Sequence, residues 1–253
     1  MTTVLPAIIA AVTAMIVAWL TSALTARRES RVRTLDEARE RSRRYLSPLR
    51  MSLAENLHRL TEVRSQATAD ARVPALKPID TPKDILKKSL DWFNGEGAYL
   101  ASSSYYAACM FSNIGRLRGE IPYLRLSTED DTVLLAKLRQ VSLGYLRNLG
   151  VFFATQDSIG ELMREEDRVL PYSEYCSLLL DGEKSVWFHR LIQYYLDIAE
   201  GQHLERVDEA IIAMEELLKY LDRAAGAGSS INAIRTAEKR TTESLSRASS
   251  LGR

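Results

Sequence analysis

The sequence predicts an all-α membrane protein, with a single N-terminal transmembrane helix, a juxtamembrane stalk helix and a cytoplasmic multi-helix bundle. Three observations carry this. Val4 to Leu24 runs without a charged residue and is rich in Leu, Ile, Val and Ala; about 20 apolar residues at about 1.5 Å each match a hydrocarbon core of about 30 Å. Arg27, Arg28, Arg31 and Arg33 crowd the C-terminal flank of that run, whereas Met1 to Thr3 carries only the terminal amine. By the positive-inside rule the N-terminus lies outside, and the rest of the chain lies on the cytoplasmic side of the inner or plasma membrane. Beyond the run, apolar residues recur at spacings of three and four in one segment after another, which is the period of a helix with one buried face.

A cleaved signal peptide places its positive charge before a shorter apolar core. Here the charge follows a long core, so an uncleaved anchor is expected, although Ala23 and Ala26 leave a cleavage-like spacing. Pro6 falls in the first turn, where its missing N–H costs nothing. The chain has 253 residues and a formal net charge of +1. Without the anchor and a polar tail it is long enough for one domain with a sizeable core, and its charge gives no reason to expect a nucleic-acid partner. Cys109 and Cys176 lie far apart without metal or redox spacing, and read as reduced, buried thiols.

These features divide the chain into an anchor (1–25), a juxtamembrane basic and leucine-seam helix (26–64), a proline-containing loop (65–81), a cytoplasmic helical domain (82–225) and a disordered tail (226–253). The first half of the juxtamembrane helix interleaves arginines with Glu29, Asp36, Glu37 and Glu40, so it reads as a solvated face. Its basic cluster, Arg27, Arg28, Arg31 and Arg33, is a candidate lipid-facing site for anionic headgroups. The second half carries Leu46, Leu49, Leu53, Leu57 and Leu60 as one seam, which must pack on the same chain or on a second copy. Pro48 should kink or restart this helix near Ser47.

Pro74, Pro78 and Pro82 mark the loop, and Thr81-Pro82 with Asp84 starts a helix expected to run through Leu86, Leu90 and Phe93 to Asn94-Gly95. Gly97 to Gly115 is uncharged, but its serines and its scattered tyrosines argue for a buried helix over a second span. Ser127 to Asp130 supplies a helix start, and Val133, Leu134, Leu138, Val141 and Tyr145 follow as its apolar face. A short helix over Gln156 to Met163 and another over Tyr172 to Leu180 come next. In the penultimate helix, Trp187, Leu191, Tyr194 and Ile198 form one stripe beside Phe188, Ile192, Tyr195 and Ala199, a wide arc that predicts a central position. In the last, Leu204, Val207, Ile211, Met214, Leu218 and Leu221 form a narrow seam. Ser229 to Arg253 is too poor in apolar residues to build a core.

No catalytic constellation emerges, and no cofactor is expected. Glu55-x-x-His58 and Glu200-x-x-His203 echo the paired motifs of di-iron bundles, but Gly201 breaks the second and neither has the further glutamates, so no metal is assigned. Gln156 and Glu161 form a candidate buried polar site, since polar groups inside a helical body need partners.

The stretch Gln156-Asp157-Ser158-Ile159-Gly160-Glu161-Leu162-Met163 resembles a Q-x-x-I-G-E-L-M signature of uncharacterised bacterial membrane-anchored helical proteins. Tyr45-Leu46-Ser47-Pro48-Leu49-Arg50 and Pro171-Tyr172-Ser173-Glu174-Tyr175 are similar to theirs as well. The resemblance implies a membrane segment followed by a helical domain, and no activity. The expectation is a membrane-integral protein whose cytoplasmic domain binds or positions a protein partner or self-associates. The alternatives are a helical enzyme or ligand sensor with a pocket between helices, and an oligomeric membrane effector.

Overall fold

The computed structural model describes residues 42–67, 73–120, 128–146, 150–166 and 168–224, with Trp19, Ser22 and Glu40 singly. Val4 to Leu24 apart from Trp19 and Ser22, the cluster Arg27, Arg28, Arg31 and Arg33, and the tail from residue 225 lie outside the described residues. Among the described residues, no helix is long and apolar enough to cross a membrane. Contacts divide the chain between Arg44 and Tyr45 into two units, and the second is the helical body.

That body is mostly helical. Its α-helices are α1 (Ser47–Gln66), α2 (Ala98–Glu120), α3 (Thr128–Gly144), α4 (Phe153–Leu162), α5 (Tyr172–Leu180), α6 (His189–Ala199) and α7 (Leu204–Ala224). A two-residue hairpin, β1 (Arg164–Glu165) with β2 (Arg168–Val169), follows α4, and Glu166 takes φ 52° at its turn. A π-helical turn, Ser42–Leu46, precedes α1, whose first turn holds Pro48 where no helical N–H is required.

The seam of α1 is buried from Leu49 through Leu53, Leu57 and Leu60 to Val63, because α2 covers one side of it and α7 another. Both neighbours run antiparallel to α1. Asn113 Nδ2 donates to Ser52 Oγ at 3.1 Å, and the Arg59 guanidinium stacks on the Tyr99 ring at 4.6 Å. On α7, Asp222 accepts from Arg50 Nε at 2.7 Å, and Asp208 accepts from Arg64 Nε and Nη2 at 2.8 and 3.0 Å. The α3 helix packs antiparallel on α7 and α4 antiparallel on α2, fixed by Lys137 with Glu216 and by Arg118 with Asp157. One end of the body, here the entry end, therefore gathers the N-termini of α1, α3 and α4 with the C-termini of α2 and α7.

The α6 helix is buried nearly all round, including both Tyr194 and Tyr195, as a wide apolar arc demands. Other expectations need correction. The single helix expected from Pro82 to Phe93 is two 3-10 turns, Pro82–Lys87 and Leu90–Asn94. The three-residue period of these turns buries Ile85, Trp92 and Phe93 and leaves Leu86 and Leu90 exposed. Trp187 lies in a further 3-10 turn, Ser185–Phe188, and points outward instead of extending the α6 stripe. Val133 is exposed, while Leu134, Leu138, Val141 and Tyr145 are buried.

Two glycines set helix separation. A Cβ at Gly144 would lie 2.7 Å from Ala210 Cβ and 2.8 Å from its Cα, and one at Gly160 would lie 3.0 Å from the Phe111 carbonyl oxygen. At Gly119 it would meet nothing within 4 Å. An exposed helical Gly→Ala change stabilises by up to about 1 kcal/mol, whereas overpacking costs about 1–3 kcal/mol. Urea unfolding should therefore show Gly119→Ala neutral or stabilising, and Gly144→Ala and Gly160→Ala destabilising.

Candidate functional site

Gln156 and Glu161 are not brought together. They are five positions apart on α4, about 140° around the helix, so they take different faces. Gln156 is buried, and its Nε2 donates to the Ser142 carbonyl at 2.9 Å and the Val151 carbonyl at 2.8 Å. One of those acceptors, the Ser142 carbonyl, lies in the last turn of α3 and also accepts the Tyr145 N–H at 3.3 Å. The Gln156 side chain thus ties the end of α3 to the strand-like entry of α4. Glu161 is exposed, which its place opposite the buried Ile159–Gly160 face explains.

A second polar group lies at the centre of the body. The Asn56 carboxamide, on the buried face of α1, donates from Nδ2 to the Tyr145 hydroxyl at 2.8 Å and to Met110 Sδ at 3.2 Å. The rings of Tyr145 and Tyr194 lie 5.1 Å apart, and Phe111 meets Tyr145 edge-on at the same distance. Burial holds the phenols of Tyr145, Tyr194 and Tyr195 far above their ordinary range, so all remain neutral hydroxyls. Nearby, the Tyr175 hydroxyl donates to Ser104 Oγ at 2.8 Å. Cys109 and Cys176 are buried free thiols. Burial pushes Cys109 up to about 12 and raises Cys176 as well, which withholds the thiolate that a nucleophile needs.

Open pockets among the described residues lie around this core. One of about 480 Å³ is lined by Arg59, Phe93, Glu96, Tyr99, Ser102 and Tyr172. Arg59 is only 18% exposed, pairs with Glu62 at 3.2 Å and stacks on Tyr99, with the Tyr106 ring 5.7 Å away. An arginine held flat against rings presents its remaining N–H donors in a fixed fork, an arrangement suited to a carboxylate or another planar acceptor. A second pocket, about 430 Å³, lies between α3 and α7 around Gln140, Gly144 and Ile212, and the Lys137 and Glu216 charges offset one another across it at 3.5 Å. A third, about 380 Å³, is lined by Arg118, Leu135, Arg139 and Phe153 near the entry end.

The two Glu-x-x-His motifs do not meet. Glu55 and His58 are exposed on α1. The α6 helix stops at Ala199, and Gly201 and His203 take φ 77° and 59°, so the second motif lies in a turn. Among the described residues, no group of three or more His, Cys, Asp or Glu side chains is placed to hold a metal ion. Sequence reasoning missed Arg59 and Arg139, whose significance comes from rings supplied by other segments, and Arg118, which is held by Ser142 and Asp157.

The contrast on α4 is measurable. Gln156→Ala removes a buried donor shared by two carbonyls and should cost about 1–3 kcal/mol in denaturant unfolding. Glu161→Ala should stay within about 0.5 kcal/mol of the parent chain. Searched against protein-family models, curated proteins and solved structures, the chain matches none.

Proposed function

We propose that this chain is a single-pass membrane protein, anchored by Val4 to Leu24, whose helical body binds or positions a protein partner on the cytoplasmic side. One observation on the body carries the reading. Leu86, Leu90, Val186 and Trp187 are all exposed; the 82–87 and 185–188 turns pack on the same two helices, α5 and α6, and the 90–94 turn packs on α5 and α2. The His189 imidazole is held below its ordinary range first by burial and then by the positive charge of Lys83. A tryptophan 48% exposed among aliphatic neighbours on a rigid base is the type of residue that dominates protein interfaces.

The test uses the full chain, extracted from its native membrane in mild detergent and sized by light scattering. A stoichiometric complex should be found, and Trp187→Ala should weaken it by about 30-fold or more, the effect of a residue worth about 2 kcal/mol. Helix content should not change, since about half of the Trp187 surface lies outside the core. A parent chain recovered without a stoichiometric protein overturns the reading.

A second reading, a ligand-sensing body, is favoured by the ring-clamped guanidinium of Arg59. In that case the melting temperature rises with a small aromatic carboxylate, and Arg59→Gln abolishes the rise. No shift across millimolar carboxylates removes that reading.

A further inference from the structure

We infer that the entry end of the body docks on the anionic surface of the membrane that its anchor spans, using Phe152, Phe153 and Leu135 as apolar contacts and Arg118 and Arg139 as headgroup contacts. The inference rests on Val4 to Leu24 being an anchor. Its own support lies in the body. Phe152 is 53% exposed and Leu135 44% exposed, and Leu135 lines one open pocket with Arg118, Arg139 and Phe153.

Leu135 and Arg139 are one helical turn apart and share a face of α3. Arg139 lies 5.9 Å from the Phe153 ring and has no carboxylate partner among the described residues. Arg118 is held by Ser142 Oγ at 3.0 Å and Asp157 at 3.4 Å. Aromatic and aliphatic side chains interleaved with arginines match the boundary between headgroups and acyl chains, where an apolar tip enters and a guanidinium meets phosphate.

Two further facts choose the membrane as occupant. This patch is at the end of the body where α1 begins, and only residues 25–44 separate Tyr45 from the apolar run. Those residues carry eight arginines and four acids, a net +4, which favours the same anionic leaflet that the patch would meet. A surface held that near a bilayer by its own chain meets it at a high effective concentration, so weak individual contacts suffice.

The experiment reconstitutes the full chain into vesicles of phosphatidylcholine alone or with one quarter phosphatidylglycerol. An environment-sensitive dye is placed on Phe152→Cys, or on Leu90→Cys at the opposite end of the body, with the unsubstituted chain reporting background from the buried Cys109 and Cys176. In the anionic vesicles, dye at 152 should shift to the blue and be quenched by acyl-brominated lipid, and dye at 90 should not. Adding Arg139→Glu should lower the docked-to-free ratio at least about fivefold, the equivalent of about 1 kcal/mol per basic residue at such a surface. Equal quenching in pure phosphatidylcholine, quenching at both positions, or no quenching at 152 while the chain resists alkaline extraction overturns the docking and leaves the anchor standing. Blue-shifted dye at 152 without bromolipid quenching assigns the patch to a protein surface and overturns it too. Extraction of the chain by alkaline carbonate removes the anchor reading, and the docking with it.

Discussion

The Asn56 carboxamide is the constraint on which the packing of the body depends. It interrupts the leucine seam of α1 and takes its partners from outside α1, the Tyr145 hydroxyl just past α3 and Met110 Sδ on α2, with Met214 Sδ on α7 at 3.5 Å. A leucine seam alone tolerates axial slippage, because one leucine replaces another at almost the same burial. A buried amide does not. Moving α1 by one turn would strand the Nδ2 donor, beside an Oδ1 that already lacks a partner among the described residues, at a cost of about 1–3 kcal/mol. The core thus carries its own register mark, and three helices are indexed to it.

Charge repeats that registration at the rim. Arg50 with Asp222 and Arg64 with Asp208 clasp the two ends of the α1–α7 pair. Asp222 is buried, whereas Asp208 is half exposed, and the two clasps therefore work differently. The exposed pair contributes little net stability by general experience with surface ion pairs. The buried carboxylate is another matter, because losing its arginine would take a neutralising cation from a desolvated charge. Antiparallel α1–α7 pairing is fixed from the entry end, where the carboxylate is least tolerant of displacement.

The sequence made the helices legible wherever one face is buried and the period is unbroken. The α7 seam and the α1 seam are of this type, and α5 begins and ends at the Tyr172 and Leu180 boundaries read from Pro171 and Asp181-Gly182. It misled where the local period was three. Leu86, Leu90 and Phe93 fit a 3.6-residue helix on paper, yet the 3-10 turns rotate the leucines outward and Trp92 inward. Trp187 was drawn into the α6 stripe for the same reason, since a helix extended one turn too far carries its residues to the wrong side. The hairpin after α4 has only two residues per strand, too short for any alternation to register. At the candidate site, the need of Gln156 for buried partners was readable, and their identity as the Ser142 and Val151 carbonyls was not. Partners supplied by backbone leave no mark on composition.

The same burial that makes the helices readable also decides what the surface has left to offer. The α6 helix spends nearly every face on the interior, and α1 is covered on two sides, so the long helices keep few apolar residues free. The large apolar side chains that remain outside the core fall mostly on connectors and helix ends, such as Leu86, Leu90, Phe152, Val186 and Trp187. Those positions are poor choices for stability, because they remove little surface from water. They are good choices for recognition, because each stands on a turn braced by buried neighbours: Trp187 precedes the fully buried Phe188, and Phe152 follows the fully buried Val151. An exposed ring next to a buried anchor loses little freedom on contact, so more of its burial energy goes into binding. Both of these exposed rings stand on the short segments between helices, where a substitution changes what the surface touches without disturbing the register that Asn56 holds.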